Sequence, residues 1–270
     1  MLTRRRLALA IAALFIPVLW LSATAVGGPK PSGGAGLYPD LRAAVPHHFT
    51  VQNNQQHEYL RFSNMVANTG AGDLRLRPEH NTTTNITTGV QEILDAQRNI
   101  VSEQAVSEFV FHPAHNHWHL TDVALFEIRF PAVGDDGTEG RFGAVFANQS
   151  IKTTFCLIDV IKLEGNTNTG DRNYWDCFPD AHQGISAGWG DQYHHATEGQ
   201  ELEVTGAKPG IYYLVSTSNA DGAFLETDTT NNMAWTSFRL TRDSKGNAKV
   251  AEVGHSPCSG ALCGEDLPNR

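Results

Sequence analysis

Three features of the sequence predict a mostly β fold, a single sandwich-like domain with long loops and little helix. Short apolar runs with polar residues between them recur at 60–68, 124–130, 153–160, 210–216 and 233–240. Turn-forming residues separate these runs, as in Asn68-Thr69-Gly70 and Gly134-Asp135-Asp136-Gly137. Only residues 88–108 carry a helical pattern, and it is weak. Short strands joined by long connections pack as two sheets and leave the loops to carry chemistry.

Each strand has its own local reason. Residues 60–68 mix alternation with the turn signal at Asn68, and 124–130 alternate until Pro131 stops them. Residues 153–160 and 210–216 are rich in the β-branched and aromatic types that suit a pleated surface. Residues 233–240 alternate once more before a polar tail.

A chain of 270 residues has room for one sizeable core plus tails. Residues 1–25 read as a signal peptide, with Arg4-Arg5-Arg6 before an apolar run and Ala23-Thr24-Ala25 as the cleavage pattern. The arginines also suit a twin-arginine signal, and an uncleaved anchor is the competing reading. Residues 26–39 form a Gly/Pro/Ser-rich flexible linker, 40–242 the folded domain, and 243–270 a polar tail. The expected location is therefore extracellular or in the cell envelope, without stable membrane insertion after cleavage.

Formal net charge is −9, and without the leader 17 basic residues face 29 acidic ones, or −12. That balance excludes a nucleic-acid partner, which needs the opposite sign, and favours cations such as protonated amines. Four cysteines in an exported chain point to disulfides. Of three connectivities, Cys156–Cys177 in the domain with Cys258–Cys263 in the tail is preferred.

The histidines carry the chemistry. His115, His117 and His119 alternate with Asn116 and Trp118, which on an extended strand places three imidazoles on one face. Side chains roughly 6.5–7 Å apart along a strand can close on one ion with bonds of about 2 Å. Three imidazoles suit Cu(II), zinc or nickel. His112 precedes them as an outer residue or a fourth ligand.

At this point the chain resembles the lysyl oxidase family. Phe111-His112-Pro113-Ala114-His115-Asn116-His117-Trp118-His119 is similar to that family's Trp-His-x-Cys-His-x-His-Tyr-His copper motif. Four further blocks follow in family order. They are Lys152-Thr153-Thr154-Phe155-Cys156-Leu157-Ile158-Asp159, Gln183-Gly184-Ile185-Ser186 running on to Asp191 and Tyr193, Lys208-Pro209-Gly210-Ile211-Tyr212, and Glu226-Thr227-Asp228-Thr229-Thr230-Asn231-Asn232.

The resemblance implies Cu(2+) on His115, His117 and His119, and a lysine tyrosylquinone built from Lys152 and Tyr193. It implies oxidative deamination of primary amines, peptidyl lysine or small amines, by O2, releasing aldehyde, hydrogen peroxide and ammonia. It places Asp191 as the base and His112 as outer support. Ala114 replaces the family's motif cysteine, and pairing Cys156 with Cys177 accommodates that loss. Collagen or elastin crosslinking is not carried over, because the leader has a bacterial form. Two other classes stay open: a copper-binding sandwich without a quinone, and a zinc-dependent hydrolase using the histidines with Asp191 or Glu198 as base. His194 and His195, which follow Tyr193, join the site or are solvated, and His182 receives no chemistry.

Overall fold

The structure, a computed structural model, describes residues 36–54, 56–113 and 116–264, with the side chains of 147–153 left undescribed. The expected signal peptide, residues 26–35 of the expected linker, His115 and the last six residues lie outside the described residues.

The strands run in chain order as β1 (Leu41–Ala43), β2 (His47–Asn54), β3 (His57–Asn68), β4 (Leu74–Asn81) and β5 (Ile86–Leu94). Then come β6 (Ile100–His112), β7 (His117–Pro131), β8 (Phe142–Phe155), β9 (Ile161–Lys162) and β10 (Gln183–Ile185). The last are β11 (Trp189–Tyr193), β12 (Glu201–Glu203), β13 (Gly210–Ser218), β14 (Met233–Arg242) and β15 (Ala248–His255).

Among the described residues they form two antiparallel sheets, as the sequence predicts. One follows the order β1-β3-β11-β9, with β2 and β12 also on β3. The other follows β10-β4-β5-β6-β7-β13-β14-β15, with β8 also on β7. The core lies between them. Leu60 and Phe62 of β3 meet Leu120, Phe126 and Ile128 of β7 and Phe238 of β14, all buried. The Phe62 and Phe126 rings pack edge to face at 5.0 Å, a favoured geometry worth about 0.5–1.5 kcal/mol beyond burial.

The predicted strands 60–68, 124–130, 210–216 and 233–240 fall inside β3, β7, β13 and β14. Two readings are corrected. The weak helix over 88–108 is instead the β5–β6 hairpin, paired from Thr87↔Phe109 to Leu94↔Ile100. Its turn is made by Asp95, whose Oδ1 accepts the N–H groups of Gln97 and Asn99 at 2.9 and 2.8 Å, with Arg98 at φ 65. Such an Asx turn reverses the chain where a helix would continue. Gly89 at the bulge leaves room that a Cβ would take from Leu120 and Phe109. The strand over 153–160 stops at Phe155 and extends upstream instead, because Cys156 to Val160 turn away to serve the disulfide and a buried carboxylate. Residues 248–255, within the expected polar tail, form β15 on β14. Residues 36–39, the described end of the expected linker, are tied to the sandwich, Leu37 N–H donating to Leu94 O at 2.7 Å.

Candidate active site

The β6–β7 hairpin brings the histidines together at its mouth. His112 at the end of β6 lies directly opposite His117 at the start of β7. His117 and His119 share a face, two residues apart, as the alternation predicts. Their Nε2 atoms approach to 2.9 Å, near the separation of two neighbouring ligand nitrogens each about 2 Å from one ion. The His112 ring stacks on His119 at 4.9 Å between centroids. His119 is buried, and its Nδ1 meets Thr154 Oγ1 at 3.1 Å. A proton on that Nδ1, donated to the hydroxyl, leaves the Nε2 lone pair for a metal; such outer partners set the tautomer and orientation of ligating histidines. The residues present therefore fit a transition-metal ion. In sequence Thr154 stands two residues from Lys152 and 35 from His119, and nothing in that spacing signals this role.

The hairpin mouth is braced by the loop that follows β8. Cys156 and Cys177 form one disulfide and Cys258 and Cys263 the other, the preferred set. Cys177 O accepts the Trp118 N–H at 3.2 Å. Gln183 donates from Nε2 to Trp118 O at 2.8 Å and accepts the Leu157 N–H at 3.0 Å. Trp118 separates the two converging histidines, so both braces act on the histidine pair. Replacing Cys156 and Cys177 by serine should cost roughly 3 kcal/mol through lost loop closure. It should also weaken metal binding, read together by calorimetric unfolding and copper titration. Unchanged copper affinity in the folded double variant would separate the bridge from the site.

Tyr193 ends β11 on the opposite sheet. Its hydroxyl donates to Cys156 O at 3.0 Å and accepts the Cys156 N–H at 2.8 Å. Its ring meets Phe155 edge-on at 4.4 Å. The phenol thus reaches across the sandwich to the end of β8. Lys152 lies on β8 opposite Leu125, and its side chain is outside the described residues. Part of the Tyr193 surface is open, but its hydroxyl sits among protein atoms, and burial raises its pKa well above the usual phenol value. The Asp191 charge adds to that rise, and the Cys156 contact opposes it.

Asp191 stands two residues before Tyr193, so both side chains share one face of β11. It is 2% exposed, and its Oδ2 finds no hydrogen-bond partner among the described residues. Burial pushes its pKa well up; a hydrogen bond from the Ile158 backbone opposes this, and the charge of Asp159 adds to it. A carboxylate so placed is a stronger base than an exposed one. Glu198 is exposed on the loop beyond β11.

The remaining blocks prove architectural. Asp159 accepts from the Ser186 N–H and hydroxyl, both at 2.7 Å, and from the Asn173 N–H at 2.9 Å. Glu226 accepts the Leu41 N–H at 2.8 Å and Asn232 Nδ2 at 2.7 Å, and also holds Asn219. Gly184 leaves space beside Leu74 O and the Tyr174 ring that a Cβ would fill. His182 sits 2.9 Å from Arg75 Nη2 and 3.4 Å from Glu92 Oε2, in the network of a buried carboxylate that also binds Arg77. The rings of His194 and His195 meet His48 of β2 at 5.6 and 3.9 Å.

These features define a class first: an antiparallel sandwich with imidazoles gathered at one hairpin mouth, and a tyrosine and a buried carboxyl on the opposing sheet. The family follows from comparison. The family model described as lysyl oxidase matches residues 86–250, a span holding His112, His117, His119, Lys152, Asp191 and Tyr193. The chain belongs to the lysyl oxidase family. It is 31% identical over 125 residues to "Lysyl oxidase homolog 3" of Homo sapiens, covering 46% of this chain and 14% of that protein. It is 25% identical over 180 residues to "Lysyl oxidase homolog 2B" of Danio rerio, covering 67% and 18%. With "Lysyl oxidase homolog 2" of Bos taurus it is 26% identical over 158 residues, covering 56% and 18%. The chain thus spans less than a fifth of the length of these relatives.

Proposed function

We propose that the chain is an exported, copper-dependent amine oxidase that oxidises primary amines, peptidyl lysine or small amines, with O2. The products are aldehyde, hydrogen peroxide and ammonia. The single observation that carries this reading is the 2.9 Å approach of His117 and His119 Nε2 within the family-matched span. His115 completes the proposed ligand set, Thr154 fixes the His119 ring, and His112 supports it by stacking. When bound, the copper and a lysine tyrosylquinone made from Lys152 and Tyr193 supply the oxidation.

The chain's own residues do the rest. Asp191 takes a proton from the carbon next to the substrate nitrogen and holds it on its carboxyl. Its burial strengthens it as a base and keeps water from competing for that proton. The Cys156 main chain fixes the Tyr193 ring, and the deprotonated Lys152 amine is the form that could join that ring once it had been oxidised with copper and O2. Export agrees with two disulfides. No helix among the described residues is long and apolar enough to cross a membrane.

The test is a peptide map of the mature, copper-loaded protein with peroxide release from butylamine and a lysine peptide. A crosslinked peptide joining the Lys152 and Tyr193 segments, together with peroxide, is the expected result. Copper binding with neither would leave a bare copper sandwich, and zinc-supported hydrolysis without peroxide would leave a hydrolase.

A further inference from the structure

A second group of imidazoles lies outside the hairpin mouth. His48 of β2 and the consecutive His194 and His195 place nitrogen atoms within 4.8 Å of one another. Their ring centroids are 3.9 Å apart for His48–His195 and 4.0 Å for His194–His195. We infer that His48, His194 and His195 form a second transition-metal site, for an ion of the zinc and copper class.

The backbone is shaped to make this cluster. β2 carries a bulge, since its register on β3 slips between His47 and Thr50. His48 sits inside that bulge with φ 57, in the left-handed region that non-glycine residues occupy at a cost. Bulges re-aim side chains, and this one sets His48 against the segment after β11.

The partner segment is clamped by its main chain. Thr197 N–H closes a turn onto His194 O at 2.8 Å. His195 N–H donates to Ser63 Oγ at 3.0 Å, and Arg61 donates to His195 O at 2.7 Å and Thr197 O at 2.6 Å. Arg61 is in turn paired with Glu201. Both segments are thus positioned before any ion arrives, which lowers the cost of binding. His194 Nδ1 accepts the Ala196 N–H at 3.2 Å, so it bears a lone pair, in a contact weak enough to yield to an ion.

The donor set names the ligand class. Three imidazoles, with no carboxylate grouped with them among the described residues, suit zinc, copper or nickel rather than calcium or magnesium, which want oxygen. His48 is exposed and its two partners are partly so, which leaves an open side for entry from solvent. The cluster begins one residue after Tyr193, at the end of the strand proposed to carry the cofactor precursor. It uses none of the copper residues and stands whether or not the amine-oxidase reading does.

Zinc(II) alone, titrated into the untagged mature chain by calorimetry, tests the site. The intact protein should bind two equivalents. The His117→Ala/His119→Ala variant should keep one of them. Adding His48→Gln or His194→Gln to that variant should weaken it by at least the roughly 10–100-fold that loss of a mere outer-shell partner costs a metal site. Circular dichroism would establish that each variant is folded. Should the His117→Ala/His119→Ala protein not fold, His48→Gln alone should bring the intact chain from two equivalents to one.

A total of only one equivalent in the intact protein, unchanged by His48→Gln and by His194→Gln, would overturn the second site and leave the hairpin site standing. A total of only one equivalent in the intact protein, lost on His48→Gln but kept in the His117→Ala/His119→Ala protein, would support the second site and sink the hairpin metal site instead.

Discussion

Tyr193→Phe should abolish quinone colour and amine-dependent peroxide release while leaving a folded protein that still binds copper. The ring and its contact with Phe155 stay; only the hydroxyl goes. That hydroxyl is bonded to both the N–H and the C=O of Cys156. Leaving two main-chain groups short of partners costs about 1–2 kcal/mol. For a domain of this size that lowers Tm by roughly 2–8 °C.

A second, larger difference should appear after copper loading. Lys152 stands on the sheet that carries β8 and Tyr193 on the sheet that carries β11, so a bond between them ties the two layers. Copper loading should then raise Tm in the parent protein beyond the rise seen in Tyr193→Phe, where only metal binding contributes. Spectra, peroxide assay and calorimetry on both proteins check all three effects. Colour or turnover surviving in Tyr193→Phe would remove Tyr193 from the cofactor.

The parts of the fold that sequence revealed are those set by local periodicity. Residues 124–130 and 233–240 alternate along β7 and β14, and each buries one face against the core. The same period puts His117 and His119 on one side. The β5–β6 hairpin was missed because Thr88 to Glu108 has no clean alternation, and its turn is signalled only by Asp95 and Asn99. Gln183, Asp159 and Glu226 were visible as residues inside blocks but not as clamps. Each bonds main chain far away in sequence, Glu226 reaching Leu41 across 185 positions, and no pattern along the chain encodes such partners. His48 was invisible for the same reason. Nothing near residue 48 refers to residues 194 and 195 until β2 and β11 both lie against β3.

Asp191→Asn should slow catalysis sharply while leaving the fold intact. Removing a positioned base costs about 10²–10⁴ in rate, read as kcat/KM for butylamine by peroxide release. Copper content and quinone colour should persist, which separates a base from a residue needed to build the cofactor. The parent rate should climb as pH rises through the elevated Asp191 pKa, and the variant should lose that limb.

Stability should move the other way. Burial holds the Asp191 proton in the native state at pH values where the unfolded chain has released it. Its contribution is therefore fully present below the unfolded value of about 3.9 and is lost as pH rises through the native pKa. Asparagine keeps the shape and carries no charge, so the variant should match the parent near pH 3.5 and exceed it in Tm toward neutrality. Asp159 and Glu226, also raised by burial, remain in both proteins. Subtracting one pH–Tm curve from the other thus isolates Asp191, apart from the repulsion between it and Asp159 that the substitution relieves. A flat difference curve would mean that Asp191 titrates normally, and a normal carboxylate at this position would have no claim to be the base.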